Sequence, residues 1–302
     1  MGELEVLDPR FGKLIIASAK LEQLWTGARW VEGPAYFPAG RYLIFSDIPN
    51  DRLMRYDETS GVVSVFREPS ANNNGNTVDL EGRLVSCEHK GRRITRTEHD
   101  GSVIALATHF EGQRFNSPND IVVKSDGSIW FSDPTYGIDG DYEGDAAPSE
   151  IGEANVYRLD PATGTVTAVV TDRVQPNGLA FSPDEGILYV SDTGSSHVAG
   201  HPRTITAYEV WPDNTLANPR TFATLPDGAY DGFRCDAQGN VWSSALGGVH
   251  CHAPDGTHIG TIPIPELVSN VCFGGRKRNR LFVTAQTSLY AIYVNAQGAL
   301  RP

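Results

Sequence analysis

Short apolar runs of four to seven residues recur along the chain, each closed by Ser-Asp or a close variant: RYLIFSD (41–47), RLVSCE (83–88), SIWFSD (128–133), ILYVSD (187–192), NVWSSA (240–245) and RLFVTA (280–285). Runs of this length bounded by turn residues read as β-strands rather than helices. Aligned on Ser46, Ser86, Ser132, Ser191, Ser243 and Thr284, the six repeats are spaced by 40, 46, 59, 52 and 41 residues. Further strands follow in most repeats, as in RLMRYD (52–57), NVYRLD (155–160), TITAYEV (204–210) and SLYAIYV (288–294), then VSVFRE (63–68), TAVVTD (167–172) and RTFATL (220–225). Four short strands per repeat of this size is the pattern of a propeller blade. The chain is therefore expected to be all-β, a six-bladed β-propeller around a central channel. The sixth repeat lacks a fourth strand, and LEQLWTG (21–27) is expected to supply it and close the ring, leaving no raw sheet edge. The best helical pattern lies at 13–25 (KLIIASAKLEQLW), whose second half reads equally as a strand.

With 31 glycines and 19 prolines in 302 residues, long helices have little room. One domain over 1–302 is expected, with a short N-terminal extension (1–20) and an acidic insertion (137–154). The net charge of −12 disfavours a nucleic-acid partner or an anionic membrane surface. No apolar stretch is long enough to span a bilayer. The first residues, MGELEVLDPR, fit neither a signal peptide nor a myristoylation site. Cys87, Cys235, Cys251 and Cys272 form no C-x-x-C pair and read as core thiols of a cytoplasmic protein, a monomer or small homo-oligomer.

The repeat alignment also yields candidate chemistry. Eight or nine residues before each turn between first and second strands stand Glu32, Asn74, Asn119, Asn177, Asp231 and Asn270. First strands line the channel of a propeller, so these six side chains are expected to converge at one mouth. Two carboxylates balance one divalent cation, and an all-oxygen set suits a hard ion, Ca²⁺ above all, with Mg²⁺ or Mn²⁺ behind it. Asn and Asp also mark ordinary turns, but that explains six aligned polar residues poorly. Other signals are weaker. The stretch 139–150 (DGDYEGDAAPSE) nearly fits a calcium loop but lacks flanking helices, and reads as an insertion able to act as a lid. His197 and His201 read as loop residues, and RKRNR (276–280) as a solvated hairpin tip. His89, with Arg92 and Arg93, stands where donors reach a ligand over the channel, and Tyr136 stands where it borders a pocket. Asp47, Asp133 and Asp192 end second strands, placed to brace neighbouring loops. No G-x-S-x-G, G-x-G-x-x-G, Walker or H-E-x-x-H motif occurs.

The segments WVEGPAYFP, NSPNDIVVKSDGSIWFSDPTYGI, QPNGLAFSPDEGILYVSDTG and YDGFRCDAQGNVW resemble the SMP-30/gluconolactonase/luciferin-regenerating-enzyme family over most of residues 25–295. CEHKGRR and YEGDAAPSEIGEANVYRLD are most similar to its bacterial gluconolactonase branch. The resemblance implies a six-bladed propeller with one divalent metal, usually calcium (Zn²⁺ is a further possibility), and hydrolysis of sugar-acid lactones. It implies Glu32, Asn177, Asp231 and Asn119 as metal ligands, with Asp231 also the catalytic base or nucleophile. Asn119, Asn74, His89 and Tyr136 are then expected to hold substrate. Two competitors are an organophosphate triesterase on the same metal and a non-catalytic propeller that binds a protein.

Overall fold

The computed structural model describes residues 4–299. The reading of the extreme N-terminus rests partly on residues 1–3, outside the described residues. Five four-stranded sheets and one five-stranded sheet are arranged as six antiparallel blades around a channel. Their innermost strands are Val31–Phe37, Asn73–Val78, Ile121–Val123, Pro176–Phe181, Phe233–Cys235 and Val268–Gly274, one for each of blades 1 to 6 in chain order. Innermost strands are buried on both faces, as Val31–Phe37 is along its full length, whereas the outermost strand of blade 1, Val63–Arg67, is largely exposed. A strand flanked by neighbouring blades has no solvent face to show, which explains why the inner strands lack a regular apolar-polar alternation.

The core is accordingly distributed between blades. Val85, Cys87, Phe115, Ile121, Phe131 and Tyr157 fill the gap between blades 2 and 3. Val122, Trp130, Leu179, Leu188 and Val190 fill the next one. All four cysteines are buried, unpaired thiols. No helix among the described residues is long and apolar enough to cross a membrane.

The ring closes through Glu22–Thr26, which pairs antiparallel with Ser288–Tyr293 as the outer strand of blade 6. This corrects the helical reading of 13–25. A helix there would leave the edge of blade 6 unpaired, and backbone pairing across the closure overrides local propensity. The one α-helix among the described residues is the single turn Pro9–Gly12, capped by Asp8, whose carboxylate accepts from the Arg10 amide at 2.8 Å. It delivers Phe11, fully buried, against Trp242 at 5.9 Å. Just before it, Glu5–Val6 adds a fifth strand to blade 5.

The basic run 276–280 is also not simply a solvated tip. Arg280 opens a buried strand and donates to Glu22 at 2.8 Å, with Glu58 at 3.6 Å and the Phe282 ring at 5.3 Å beneath it. Its guanidinium ties the closing strand to blades 1 and 6, an arrangement that a chain-local reading of five basic residues does not contain.

Candidate active site

The six ring residues stand at or just before the start of the innermost strands, and the backbone aims them. In blades 1, 2, 4 and 6 the first pairing slips at this point, between Glu32 and Ala35, Asn73 and Asn76, Pro176 and Leu179, and Val268 and Asn270. Such bulges re-aim a side chain. In blades 3 and 5 the innermost strand begins only after the ring residue. Glycine follows the ring residue in four blades, and a Cβ on Gly33 or Gly75 would strike the carbonyl of the next ring residue, Asn74 or Asn119. The serines that anchor the repeat alignment complete the frame. Ser46, Ser132 and Ser191 donate to the ring carbonyls of the following blades, Asn74 at 2.6 Å, Asn177 at 2.6 Å and Asp231 at 2.9 Å.

The structure brings the ring side chains together. Asn270 Nδ2 donates to Glu32 Oε2 at 3.0 Å, and the Gly33 amide donates to the same oxygen at 2.5 Å. Asn74 Nδ2 donates to Asn119 Oδ1 at 2.8 Å, and Asn177 Nδ2 lies 3.4 Å from Thr193 Oγ1. Two buried oxygens, Asn74 Oδ1 and Asn177 Oδ1, have no hydrogen-bond partner. Such atoms are costly unless something not of the chain meets them. Burial, then the negative charge of Asp120, raises the Glu32 carboxyl above the ordinary carboxylate range. Burial, then Glu32, holds the Asp231 carboxyl well above it. Orphaned amide oxygens beside two carboxyls that resist losing their protons form a donor set that a hard divalent cation fits. Among the described residues no three His, Cys, Asp or Glu side chains converge on a common point, so the cradle is carboxylate and amide in character.

His89 departs from expectation. It is fully buried, with Nε2 3.0 Å from Asn74 Nδ2 and Nδ1 3.2 Å from the Glu143 carbonyl. Burial lowers its pKa to about 4, so it is neutral. Nδ1 then donates to the carbonyl and Nε2 accepts from Asn74, which turns Asn74 Oδ1 towards the channel. With both nitrogens spent on the protein, His89 positions the ring rather than holding a sugar hydroxyl. Arg92 and Arg93 also miss the channel: Arg92 Nε donates to the Phe115 carbonyl at 2.6 Å, and Arg93 Nε donates to Glu88 at 2.5 Å. Burial raises the Tyr136 phenol, with a smaller contribution from Asp231, and its hydroxyl meets Thr193 Oγ1 at 2.6 Å and Ser196 Oγ at 2.9 Å.

The terminal aspartates of the second strands brace the loops that lead into the ring. Asp47 accepts from the Arg29 amide at 3.0 Å, Asp133 from the Asn116 and Ser117 amides at 2.8 and 2.9 Å, and Asp192 from the Val174 and Gln175 amides at 3.1 and 2.9 Å. His201 is held by Asp192, and His197 by Asp139, each at 2.9 Å, so the two histidines serve separate carboxylates. The acidic stretch 139–150 is no calcium loop. Asp141 accepts from the Ala146 amide, Glu150 meets Arg92 and the Arg114 amide, and Asp139 meets His197. These contacts fold it down beside His89 as a lid.

Sequence reasoning missed an ion pair in the channel. Arg234 Nη1 and Nη2 each lie 3.2 Å from an oxygen of Asp120, and both residues are buried. Asp120 also accepts from the Ile121 amide at 2.8 Å. The signal was present: Asp120 follows Asn119 and directly precedes the innermost strand of blade 3, and Arg234, three residues past Asp231, lies on that of blade 5. Nothing local to either segment announces the pairing.

The sequence profile of the SMP-30/Gluconolactonase/LRE-like region matches residues 30–287. The gluconolactonase of Zymomonas mobilis is 30% identical over 325 aligned residues, spanning 99% of this chain and 88% of that protein. The pentonolactonase of Haloferax volcanii is 29% identical over 86% of this chain and 82% of its own length. A gluconolactonase structure from Xanthomonas campestris superposes with a TM-score of 0.90 at 39% identity, covering 97% of this chain and 95% of that one. With repeats, ring and comparisons in agreement over nearly the whole chain, it belongs to the SMP-30/gluconolactonase/LRE-like family.

Proposed function

We propose that the chain hydrolyses lactones of sugar acids at the channel mouth, with one divalent cation, calcium first among the candidates. The observation that carries this reading is the pairing of two carboxyls, Glu32 and Asp231, with the unpartnered oxygens of Asn74 and Asn177. The lactonases among its relatives support the substrate class. Glu32, Asn177, Asp231 and Asn119 would hold the cation, and Asn74 is a further donor. When bound, a divalent cation supplies Lewis-acid polarisation of a carbonyl and stabilises developing negative charge.

The residues of the chain do the rest. Asp231 sits half-buried at the mouth and takes a proton from the attacking water. Its backbone amide is anchored on Ser244 Oγ at 2.8 Å, which fixes the carboxyl's approach. Asn119 Oδ1 accepts from Asn74 and keeps its second lone pair for the cation, which leaves the amide nitrogen to donate to substrate hydroxyls. Tyr136 walls the mouth on the side of blade 4. Four buried thiols and the acidic balance support a cytoplasmic setting.

The test is hydrolysis of D-glucono-1,5-lactone after chelation and again after adding back Ca²⁺, Mg²⁺, Mn²⁺ or Zn²⁺. Activity is expected to disappear with EDTA and return with one ion. No turnover above background with any ion would sink the reading.

Stability gives a second, activity-free readout. In the cation-free protein, Glu32 and Asp231 keep protons that the unfolded chain releases from about pH 4.5 upwards. The folded state then binds more protons than the unfolded state, so stability falls as the pH rises from there through neutrality. The Tm of the EDTA-treated protein is expected to drop over that range, and saturating Ca²⁺ should raise Tm more at pH 8 than at pH 5. A calcium effect independent of pH would contradict the two-carboxyl cradle.

A further inference from the structure

Glu143 stands apart from the other acids of the lid. Asp139, Asp141, Asp145 and Glu150 are each tied to a protein partner, at 2.9 Å to His197, 2.9 Å to the Ala146 amide, 3.0 Å to Lys90 and 3.3 Å to Arg92. The Glu143 carboxyl makes no hydrogen bond to any described residue. His89 Nδ1 lies 4.0 Å from it, and that proton goes to the Glu143 carbonyl at 3.2 Å. The backbone that carries it is nonetheless held in place. A Cβ on Gly144 would collide with the Gly137 carbonyl, and one on Gly137 with His89, so the lid is pressed onto the floor of the mouth at this residue. Glu143 sits on His89, which is bonded in turn to the ring residue Asn74, so the lid meets the ring at the channel mouth through this residue.

Ring opening of a lactone needs two proton movements. Water must lose a proton as its oxygen bonds to the carbonyl carbon, and the ring oxygen must gain one as its bond to that carbon breaks. An aliphatic alkoxide is a strongly basic leaving group, so unassisted departure is slow. Asp231 serves the first movement in the proposed function, and nothing described so far serves the second. We propose that Glu143 is the acid that protonates the departing ring oxygen, which makes the lid part of the catalytic machinery. This rests on the lactonase reading above.

The step balances. The water oxygen bonds to the carbonyl carbon and one water proton passes to Asp231. The bond from that carbon to the ring oxygen breaks, and the Glu143 proton completes the new hydroxyl. Asp231 then returns its proton to solvent, and Glu143 regains one from solvent. Burial pushes Glu143 up to about 7, so a useful share of it carries the proton at neutral pH. The groups facing it agree with that: neutral His89 beneath and Asp231 across the mouth, while Lys90 and Arg92 on the adjacent strand end are already paired with Asp145 and Glu150, and His197 from blade 4 with Asp139.

The test compares two lactones that differ in leaving group. D-glucono-1,5-lactone expels an aliphatic alkoxide, and dihydrocoumarin expels a phenoxide that needs no proton. Glu143→Gln is expected to lower kcat on gluconolactone by about 10² or more and to remove the alkaline fall of its pH profile near neutrality. The same variant should keep kcat on dihydrocoumarin within a few-fold, and Glu143→Asp should recover part of the gluconolactone rate. Equal losses on both lactones would mean a positioning role and overturn the proposal, as would unchanged kcat on gluconolactone. A native chain active on neither lactone overturns the lactonase reading and this role with it. One active on dihydrocoumarin alone leaves the hydrolase reading standing and overturns the Glu143 assignment.

Discussion

Asp231→Ala is expected to slow D-glucono-1,5-lactone hydrolysis by about 10³-fold or more, with an unchanged far-UV circular dichroism spectrum. The size follows from the two duties proposed for one carboxyl, base and cation donor. The intact fold follows from the surroundings of its backbone. The Asp231 amide is held by Ser244 Oγ and its carbonyl by Ser191 Oγ, and neither contact involves the side chain. Losing the carboxyl also removes a buried acid whose ionisation burial and Glu32 both oppose, so the cation-free variant should melt no lower than the cation-free native chain. Loss of turnover without loss of stability separates a functional carboxyl from a structural one. Native-like turnover in this variant would remove Asp231 from the mechanism.

Arg234→Met is expected to be the most destabilising single change in the channel, by about 3–5 kcal/mol, because it leaves the Asp120 carboxylate buried without its partner. Amide contacts from Ile121 at 2.8 Å and Leu179 at 3.3 Å would remain to Asp120 and do not replace a guanidinium. Pairing the change with Asp120→Leu should recover much of the loss, since an apolar pair of similar volume avoids the stranded charge. Urea denaturation of the two variants measures both effects. A cost below about 1 kcal/mol for Arg234→Met would mean that water reaches Asp120 and that the channel is wet at this depth.

Most of the fold was legible because a propeller repeats its instructions. Six strand ends, three of them Ser-Asp and three close variants, set the blade count, and one register step from them reached Glu32, Asn74, Asn119, Asn177, Asp231 and Asn270, of which Glu32 meets Asn270 and Asn74 meets Asn119. The bracing aspartates were legible for the same reason, since each acts within its own blade. The closing strand at 21–27 was legible too, but 13–25 also fits a helix by its apolar spacing, and only an unpaired edge 265 residues away decides between them.

What the sequence determined by itself is therefore whatever recurs or lies within one blade: strand pattern, blade number, ring positions, acidic balance and the resemblance to a lactonase family. What only the tertiary structure decided lies between distant segments. Asp120 meets Arg234 across 114 residues, Arg280 meets Glu22 across 258, and His89 meets the Glu143 carbonyl across 54. These partners are chosen by closure of the ring and folding of the lid. A buried charge or ring nitrogen takes the one partner that geometry brings within 3 Å or so, and no local pattern records which that will be.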